Sequence, residues 1–167
     1  MSVDEHHRTA PAHLACFVLT VSDTRTAEND RSGQAIVDLL GEDGHLVCGR
    51  SIVPDEPDQV TAHVCKVLDQ GTADVVIATG GTGIAHRDRT FEAVAGLFER
   101  EMPGFGELFR MLSFEEIGAA AMLSRAAAGI VGRRVVFVLP GSERAVRLAM
   151  SRLILPELGH IVSELRR

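Results

Sequence analysis

The sequence predicts a three-layer α/β/α sandwich with a mostly parallel β-sheet and one antiparallel strand. Short β-rich runs alternate with amphipathic helical patterns along the chain, which is typical of a parallel sheet covered by helices. The length of 167 residues fits one domain, and 46% hydrophobic residues supply a sizeable core. We therefore expect one domain at 13–167, preceded by a disordered tail at 1–12.

The first half of the chain is predicted to contain three strands, each followed by a helix. The strands are expected at 14–21, 45–53 and 75–79. The first helix is expected at 32–43, where Gly44 suits its C-terminal end. The second begins near Pro57, a residue compatible with a first helical turn. Thr90 is predicted to cap the third helix, which runs to about Arg100.

The second half is predicted to supply the antiparallel strand. A proline–glycine pair at 103–104 interrupts the helical pattern, and a second interruption is expected near Ser113. The β-rich runs 124–130 and 134–139 are separated by Gly132, which suits a tight turn. This spacing indicates a β-hairpin and hence one antiparallel strand in the sheet.

Two more helices are predicted, one after the Pro-Gly-Ser turn at 140–142 and one at 156–165. A helical stripe of apolar side chains also lies between the two interruptions, and it is interpreted either as core packing or as a subunit contact. The stripe contains Phe105, Leu108, Phe109 and Leu112.

Charge and composition exclude several classes of protein. A formal net charge of −6 argues against broad contact with nucleic acid, whose phosphates require a basic face. No apolar run approaches the ~20 residues that span a bilayer, and the N-terminus lacks a signal-peptide core, so a cytoplasmic location is expected. Cys16, Cys48 and Cys65 are interpreted as buried small hydrophobes rather than as disulfide or zinc ligands.

Four polar turns follow predicted strands, and we expect them to share one site. In open α/β sheets, ligands bind where loops and helix N-termini converge beyond the carboxyl ends of parallel strands. Singly, Asp23, Asp55 and Ser142 are equally well explained as ordinary turn or cap residues. The turns lie at 22–24, 54–56, 80–88 and 140–142.

The turn Gly80-Gly81-Thr82-Gly83 is the most informative of the four. It follows a buried apolar run, and its glycines let backbone N–H groups approach an anion. It matches neither the P-loop nor the dinucleotide-binding pattern, so a general nucleotide-binding module is a weaker interpretation. Asp88 follows where a phosphate-bound cation needs an oxygen ligand.

The order of these motifs resembles the molybdenum-cofactor biosynthesis family, which includes molybdopterin adenylyltransferases and biosynthesis protein B. The resemblance extends from residue 14 almost to the C-terminus, and the long central motif is similar to the biosynthesis-protein-B branch. The motifs are LTVSDTR, DRSG, IVPDE, VIATGGTG, RDRTFEAV, EMPGFGELFRMLSFEEIG, LSRAAAG and LPGS.

The resemblance implies a molybdopterin-binding domain that assembles as a homo-oligomer, a trimer or hexamer, and prepares the pterin for metal insertion by a partner protein. The transferases use Mg²⁺ and ATP to attach AMP to the molybdopterin phosphate, with release of pyrophosphate. Matched to the motifs, Asp55 and Asp88 are the candidates for catalysis and Mg²⁺ placement. The nucleotide is expected at Ser22, Asp23, Gly80, Gly81, Thr82 and Gly83.

The pterin and its phosphate are expected on the other side of the same site. Two departures from the transferase pattern affect the region: Phe91 stands where proline is usual, and Glu143 and Arg144 replace a proline–lysine pair. The phosphate-binding cation is therefore expected at Arg144 or is absent. The pterin candidates are Glu107, Ser124, Pro140, Gly141, Ser142 and Arg144.

Two functions remain open from the sequence. The retained Asp23, Asp55 and Asp88 favour an adenylyltransferase. The alternative is a non-catalytic protein that binds molybdopterin or assists its assembly in the same pathway. An inactive binder tolerates loss of a metal-binding carboxylate, and all three are present here.

Overall fold

The computed structural model describes Pro11 and residues 13–167, and a six-stranded sheet forms its centre. The strand order is β2-β1-β3-β6-β5-β4, and β5 alone runs antiparallel to its neighbours. The predicted mostly parallel sheet with one antiparallel strand is confirmed. The strands are β1 (Ala15–Val21), β2 (Leu46–Val53), β3 (Val75–Thr79), β4 (Arg100–Glu101), β5 (Ala127–Val131) and β6 (Arg134–Leu139).

Helices cover both faces of this sheet. One face carries α1, α4, α5 and α6, and the other carries α2 and α3. A 3₁₀ segment follows α4, and one π-helical turn at Met150–Ile154 joins α5 to α6 without a break. The helices are α1 (Arg31–Glu42), α2 (Pro57–Gln70), α3 (Thr90–Ala95), α4 (Pro103–Ile117), α5 (Glu143–Ala149) and α6 (Leu155–Arg166).

The central strands read as unbroken apolar runs because both of their faces are covered. Every residue of β3 is buried, as a parallel strand between two helical layers requires. The helices instead bury one stripe each: α2 places Val60, Val64 and Val67 on the sheet. Within residues 13–167, no helix has both the length and the apolar character needed to cross a bilayer.

Asp30 fixes the start of α1. Its carboxylate accepts a 2.9 Å hydrogen bond from the Gly33 amide and a 2.7 Å bond from the Thr20 hydroxyl, and it pairs with Arg50 at 2.8 Å. Burial opposes ionisation of Asp30, but the hydrogen bonds from Arg50, Thr20 and Gly33 outweigh it, so its pKa is lowered. One side chain thus ties α1 to β1 and β2.

The third helix is shorter than predicted, and Thr90 does not cap it. Arg89 occupies the N-cap position, and the Thr90 hydroxyl instead donates to Asp55. The helix ends at Ala95 rather than near Arg100, with Gly96 at its C-cap. Arg100 and Glu101 instead pair with β5 and form the two-residue strand β4. This edge strand was not predicted, since two residues carry no periodic signal.

The predicted interruption near Ser113 is also wrong. Ser113 is buried within α4, and the helix continues to Ile117. The break falls at Gly118, whose φ of 62° ends the helix. The predicted strand at 124–130 likewise begins later, at Ala127.

The three cysteines are free thiols, as expected, but they are not all buried. Cys16 is buried in β1, Cys65 is half-buried, and Cys48 is exposed. Cys48 lies on β2, an edge strand of the sheet, so alternate side chains of this strand face outward. The interpretation of Cys48 as a buried small hydrophobe is therefore wrong.

The predicted aromatic stripe divides between core and surface. Phe105, Phe109 and Leu112 are buried against the sheet, whereas Leu108 is 48% exposed. The core interpretation is confirmed for the three buried residues. The predicted tail at 1–12 lies outside the described residues except for Pro11.

Candidate active site

The four predicted turns meet at the carboxyl-end edge of the parallel strands. The connection after β1 leads to β2 on one side, and the connection after the neighbouring strand β3 leads to β4, β5 and β6 on the other side. The two loops therefore diverge and open a crevice for ligands. The Asp55 amide donates to Asp23 Oδ1 at 3.1 Å, which joins the first two turns. The Thr79 hydroxyl donates to the Pro140 carbonyl at 2.9 Å, which joins the last two.

Asp55 occupies the middle of this loop cluster. Its Oδ1 accepts a hydrogen bond of 3.2 Å from the Thr90 hydroxyl, and the Thr90 amide donates to the Gly81 carbonyl at 3.0 Å. Thr90 therefore connects the turn after β2 to the glycine-rich turn after β3. This role for Thr90 was missed in the sequence, where Thr before an apolar helix has the pattern of a cap.

The electrostatic environment of Asp55 disfavours its charge. Burial raises the pKa of the Asp55 carboxyl, the Thr90 hydrogen bond lowers it, and the carboxylates of Asp88 and Asp23 raise it again. The net pKa is above its usual range despite the attraction of Arg87. The carboxylates of Asp88 and Asp23 therefore act on Asp55 from neighbouring turns, and a cation would relieve this repulsion.

Gly81 is required by the closeness of these side chains. Its φ is 61°, in the left-handed region, and a Cβ atom there would lie 2.7 Å from Asp55 Oδ2. A Cβ atom on Gly83 would collide with the Asp88 carboxylate in the same way. The glycines thus allow two carboxylates to approach the backbone of one turn.

Asp88 closes the loop that follows the glycine-rich turn. Its Oδ2 accepts a hydrogen bond of 3.0 Å from the Ala85 amide, and its own amide donates to the Ala85 carbonyl at 3.0 Å. Asp88 therefore has a structural role as a cap within this loop. This role engages Oδ2 and leaves Asp88 half-buried beside a cavity of about 420 Å³.

Arg87 bridges two acidic turns across the site. Its Nη2 atom lies 2.8 Å from Glu56 Oε1 and 3.2 Å from Asp23 Oδ2. The guanidinium is largely exposed, so these ion pairs are weak and easily exchanged for an anionic ligand. The RDR motif contains Arg87, but sequence reasoning assigned no role to it.

Arg125 is a second residue that sequence reasoning missed. It follows Ser124 and contacts the backbone of the loop at residues 82–88. Its Nε donates to the Thr82 carbonyl at 2.9 Å. Its Nη2 donates to the carbonyls of Gly83 at 2.6 Å and Asp88 at 2.9 Å. Its Nη1 pairs with Glu92. The available signal was a single arginine within the LSRAAAG motif, before a run of small residues.

Two of the predicted ligand-binding serines form local hydrogen bonds. Ser22 Oγ accepts from the amides of Thr24 and Arg25, and Ser142 Oγ accepts from the Ala145 amide as the N-cap of α5. Both are the ordinary turn and cap contacts that the sequence left open. They place the hydroxyls at the loop cluster and orient its backbone.

The other predicted pterin residues divide into two groups. Pro140 and Gly141 lie against the glycine-rich turn, where a Cβ atom on Gly141 would be 3.1 Å from Gly80 Cα. Half-buried Ser124 lies directly before Arg125. Among the described contacts, none joins the side chain of Glu107 or Arg144 to the four turns.

Arg144 has a different partner from the one expected. Its Nε donates to Glu116 Oε2 at 2.7 Å, so the guanidinium pairs with the end of α4. A phosphate at this position would have to compete with Glu116. Glu107 is exposed on the first part of α4.

The donor set fits a magnesium ion that is shared with a substrate. Within residues 13–167, no group of three or more histidine, cysteine or carboxylate side chains is arranged to hold a metal alone. Mg²⁺ commonly takes one or two carboxylates, keeps several waters and completes its shell with substrate phosphates. Asp55 and Asp88 match that incomplete set.

Comparisons with known proteins agree with this architecture. Residues 17–160 match the family model described as a probable molybdopterin binding domain. A molybdenum cofactor biosynthesis protein B from Bacillus cereus is 54% identical over 168 aligned residues, covering 100% of this chain and 99% of the relative. A solved molybdenum cofactor biosynthesis protein B superposes with a TM-score of 0.92 at 53% identity, covering 95% of this chain and 99% of that one.

A more distant solved structure has the same fold. The tungsten cofactor synthesizing protein MoaB from Pyrococcus furiosus superposes with a TM-score of 0.84 at 41% identity, covering 95% of this chain and 100% of that one. Fold and loop cluster together define the class of molybdopterin-binding α/β domains. The chain belongs to the molybdenum cofactor biosynthesis family and, within it, to the biosynthesis protein B group.

Proposed function

We propose that this protein is a molybdopterin adenylyltransferase of the cytoplasm, which uses Mg²⁺ and ATP to attach AMP to the molybdopterin phosphate. The observation that carries the proposal is the convergence of Asp55 and Asp88 on one glycine-rich turn. The Asp88 carboxylate raises the pKa of Asp55, and two neighbouring carboxylates of this kind are suited to hold a magnesium–phosphate complex.

The reaction requires no nucleophile from the protein. A terminal phosphate oxygen of molybdopterin attacks the α-phosphorus of ATP, the bond from that phosphorus to the bridging oxygen breaks, and pyrophosphate leaves. Bound Mg²⁺ neutralises charge on the phosphates. The residues of this chain align the two substrates and supply amide donors to developing charge, which is the main task in transfers of this kind.

The loop cluster offers separate positions for the two substrates. The glycine-rich turn and Asp23 form the nucleotide side, and the turn of Pro140 and Gly141 forms the pterin side. These two turns touch at Gly80. This closeness of the two turns supports transfer between substrates bound on either side of them.

The test is a direct assay with a matched control. Purified protein is incubated with molybdopterin, ATP and Mg²⁺, and adenylylated pterin and pyrophosphate are quantified. Asp88→Asn should reduce turnover by about 100-fold or more, because it removes charge at the phosphates. Asp69→Asn changes an exposed carboxylate at the C-terminal end of α2, the end opposite to the loop cluster, and should leave turnover unchanged.

A non-catalytic binder is the second candidate. It is favoured by two contacts: Asp88 already accepts the Ala85 amide, and Arg144 is paired with Glu116 rather than directed at a phosphate. Saturable molybdopterin binding without product, under the same conditions, would establish this candidate and reject the enzyme. The chain has no Trp or Tyr, so pterin fluorescence can be followed against little protein background.

We also propose a homo-oligomer, a trimer or hexamer, that passes its product to a molybdate-insertion protein. Large apolar side chains remain exposed on α4 and on the 3₁₀ segment Gly118–Leu123 that follows it. Several large exposed apolar side chains on neighbouring segments favour a protein contact. We call this the α4 surface; it contains Leu108, Met111, Phe114, Ile117, Met122 and Leu123.

A further inference from the structure

One guanidinium joins both ends of the loop that carries Asp88. Arg125 donates to the carbonyls of Thr82 and Gly83, where the loop begins, and to the carbonyl of Asp88, where it ends. The intervening residues 84–87 are exposed and make few contacts with the core. The distance between the two ends of this loop is therefore set by the Arg125 side chain.

Two further contacts fix the orientation of that side chain. Arg125 pairs with Glu92 in the first turns of α3, and its guanidinium lies over the Phe91 ring at 5.0 Å from the centroid. The hydrogen bond from Arg125 lowers the pKa of Glu92, which keeps this partner ionised. Phe91, the residue that departs from the usual proline, thus supplies a stacking surface for an arginine.

The direction of these carbonyls determines where the amides point. Across a trans peptide bond, C=O and N–H point in opposite directions, and the described residues contain no cis bond. Carbonyls of Thr82 and Gly83 that face Arg125 therefore turn the amides of Gly83 and Ile84 away from it. Among the described residues, neither amide has a hydrogen-bond acceptor, so both are available to an anion.

We propose that Arg125 is a positioning residue that sets the geometry of the 82–88 loop, and through it the place of the Asp88 carboxylate and two amide donors for a phosphate. The inference deepens the proposed adenylyl transfer and rests on it for its functional consequence. A lysine would not substitute, because one ammonium cannot present the planar fork that reaches three carbonyls and a carboxylate together.

The first experiment measures the loop itself in the protein without substrates. Amide hydrogen exchange of Ala85 and Asp88 should be at least about ten-fold faster in Arg125→Lys than in the parent, since the hydrogen bonds of both amides depend on loop closure. Arg133→Lys, a change at an exposed arginine in the β-hairpin turn, is the matched control and should leave exchange unchanged. Equal exchange in parent and Arg125→Lys would overturn the proposal.

The second experiment separates positioning from general stability. Arg125→Lys should lower kcat by roughly 10- to 100-fold and raise the Mg²⁺ concentration for half-maximal rate, as loss of an outer partner of a metal ligand does. A purely structural role would lower Tm and leave the Mg²⁺ dependence unchanged. In an Asp88→Asn background, Arg125→Lys should reduce kcat little further. If the fold-reduction in kcat of the double variant equals the product of the two single reductions, Arg125 does not act through Asp88.

The two experiments fail independently. If the parent protein yields no adenylylated pterin, the proposed function is wrong, while hydrogen exchange still decides whether Arg125 sets the loop. If the parent is active and Arg125→Lys shows the parental rate and Mg²⁺ dependence, the positioning role is wrong and the proposed function stands.

Discussion

The Asp55 carboxylate lies in a position that disfavours its charge, and this has a measurable effect on stability. Its folded pKa is above the ordinary value of 3.8, because burial and the neighbouring carboxylates oppose ionisation. The folded state therefore holds its proton to higher pH than the unfolded state does. The associated stability is present below pH 3.8 and is lost as pH rises through the folded pKa.

Asp55→Asn should consequently stabilise the protein at neutral pH while abolishing transfer. The amide keeps an oxygen for the Thr90 hydroxyl and removes the repulsion from Asp88 and Asp23. Thermal unfolding should show a higher Tm for the variant near neutrality, and the difference should shrink as pH falls towards 3.8. A lower Tm at neutral pH would show that Asp55 is a structural residue rather than a strained functional one.

Asp30 should show the opposite pH dependence. Its pKa is lowered, so its stabilising contribution is present above the ordinary value of 3.8 and is lost as pH falls through the folded pKa. Asp30→Asn should lower the free energy of unfolding at neutral pH by roughly 2–4 kcal/mol, because Arg50 loses the charge that compensates its burial. Urea unfolding across a pH series measures the difference, which should narrow in acid; a constant difference would contradict this account.

The short strand β4 depends on a contact between an aromatic ring and a glycine. Phe98 packs on Gly129 of β5, and a Cβ atom on that glycine would lie 2.6 Å from Phe98 Cδ1. Gly129→Ala should displace the ring and destabilise the protein by about 1–3 kcal/mol, as overpacking does. The penalty should be smaller in a Phe98→Leu background, and an equal penalty in both backgrounds, measured by chemical denaturation, would reject the proposed clash.

Elements with a strong hydrophobic periodicity, or with a clear turn or cap residue at one end, were predictable from the sequence. The buried run of β3, the hairpin turn at Gly132 and the Ser142 cap of α5 were all confirmed, because local chemistry determines them. Three features were not predictable, since they depend on pairing with β5 and on distant packing: the end of α3, strand β4 and the break at Gly118. Cys48 was misread because burial depends on its strand lying at a sheet edge.

The sequence predicted the location of the candidate site but not all of the contacts within it. Parallel strands end at one edge, so the meeting of Asp23, Asp55 and the glycine-rich turn followed from topology alone. The contacts of Arg125 and Arg87 could not be predicted in this way. Arg125, for example, donates to the carbonyl of Asp88, 37 residues away in the sequence, and such a contact leaves no local pattern.

The α4 surface leads to a prediction about assembly. Leu108, Met111, Phe114 and Ile117 are between 43% and 62% exposed, and Met122 and Leu123 extend the same run of chain. A second copy of the chain would remove this apolar surface from water, at a gain of roughly 25 cal/mol per Å² before the costs of association. The parent protein should therefore self-associate, and the family resemblance implies that it sediments as a trimer or hexamer of the 18.0 kDa chain.

Phe114→Glu should dissociate this oligomer, because it places a charge in the middle of the buried apolar contact. Sedimentation over a concentration series should show smaller species for the variant, with an unchanged far-UV spectrum. Glu115→Gln alters the adjacent exposed residue without adding a buried charge, and it should leave the parental assembly intact. A parent that is monomeric at all concentrations, or a Phe114→Glu variant that assembles as the parent does, would place any subunit contact elsewhere on the molecule.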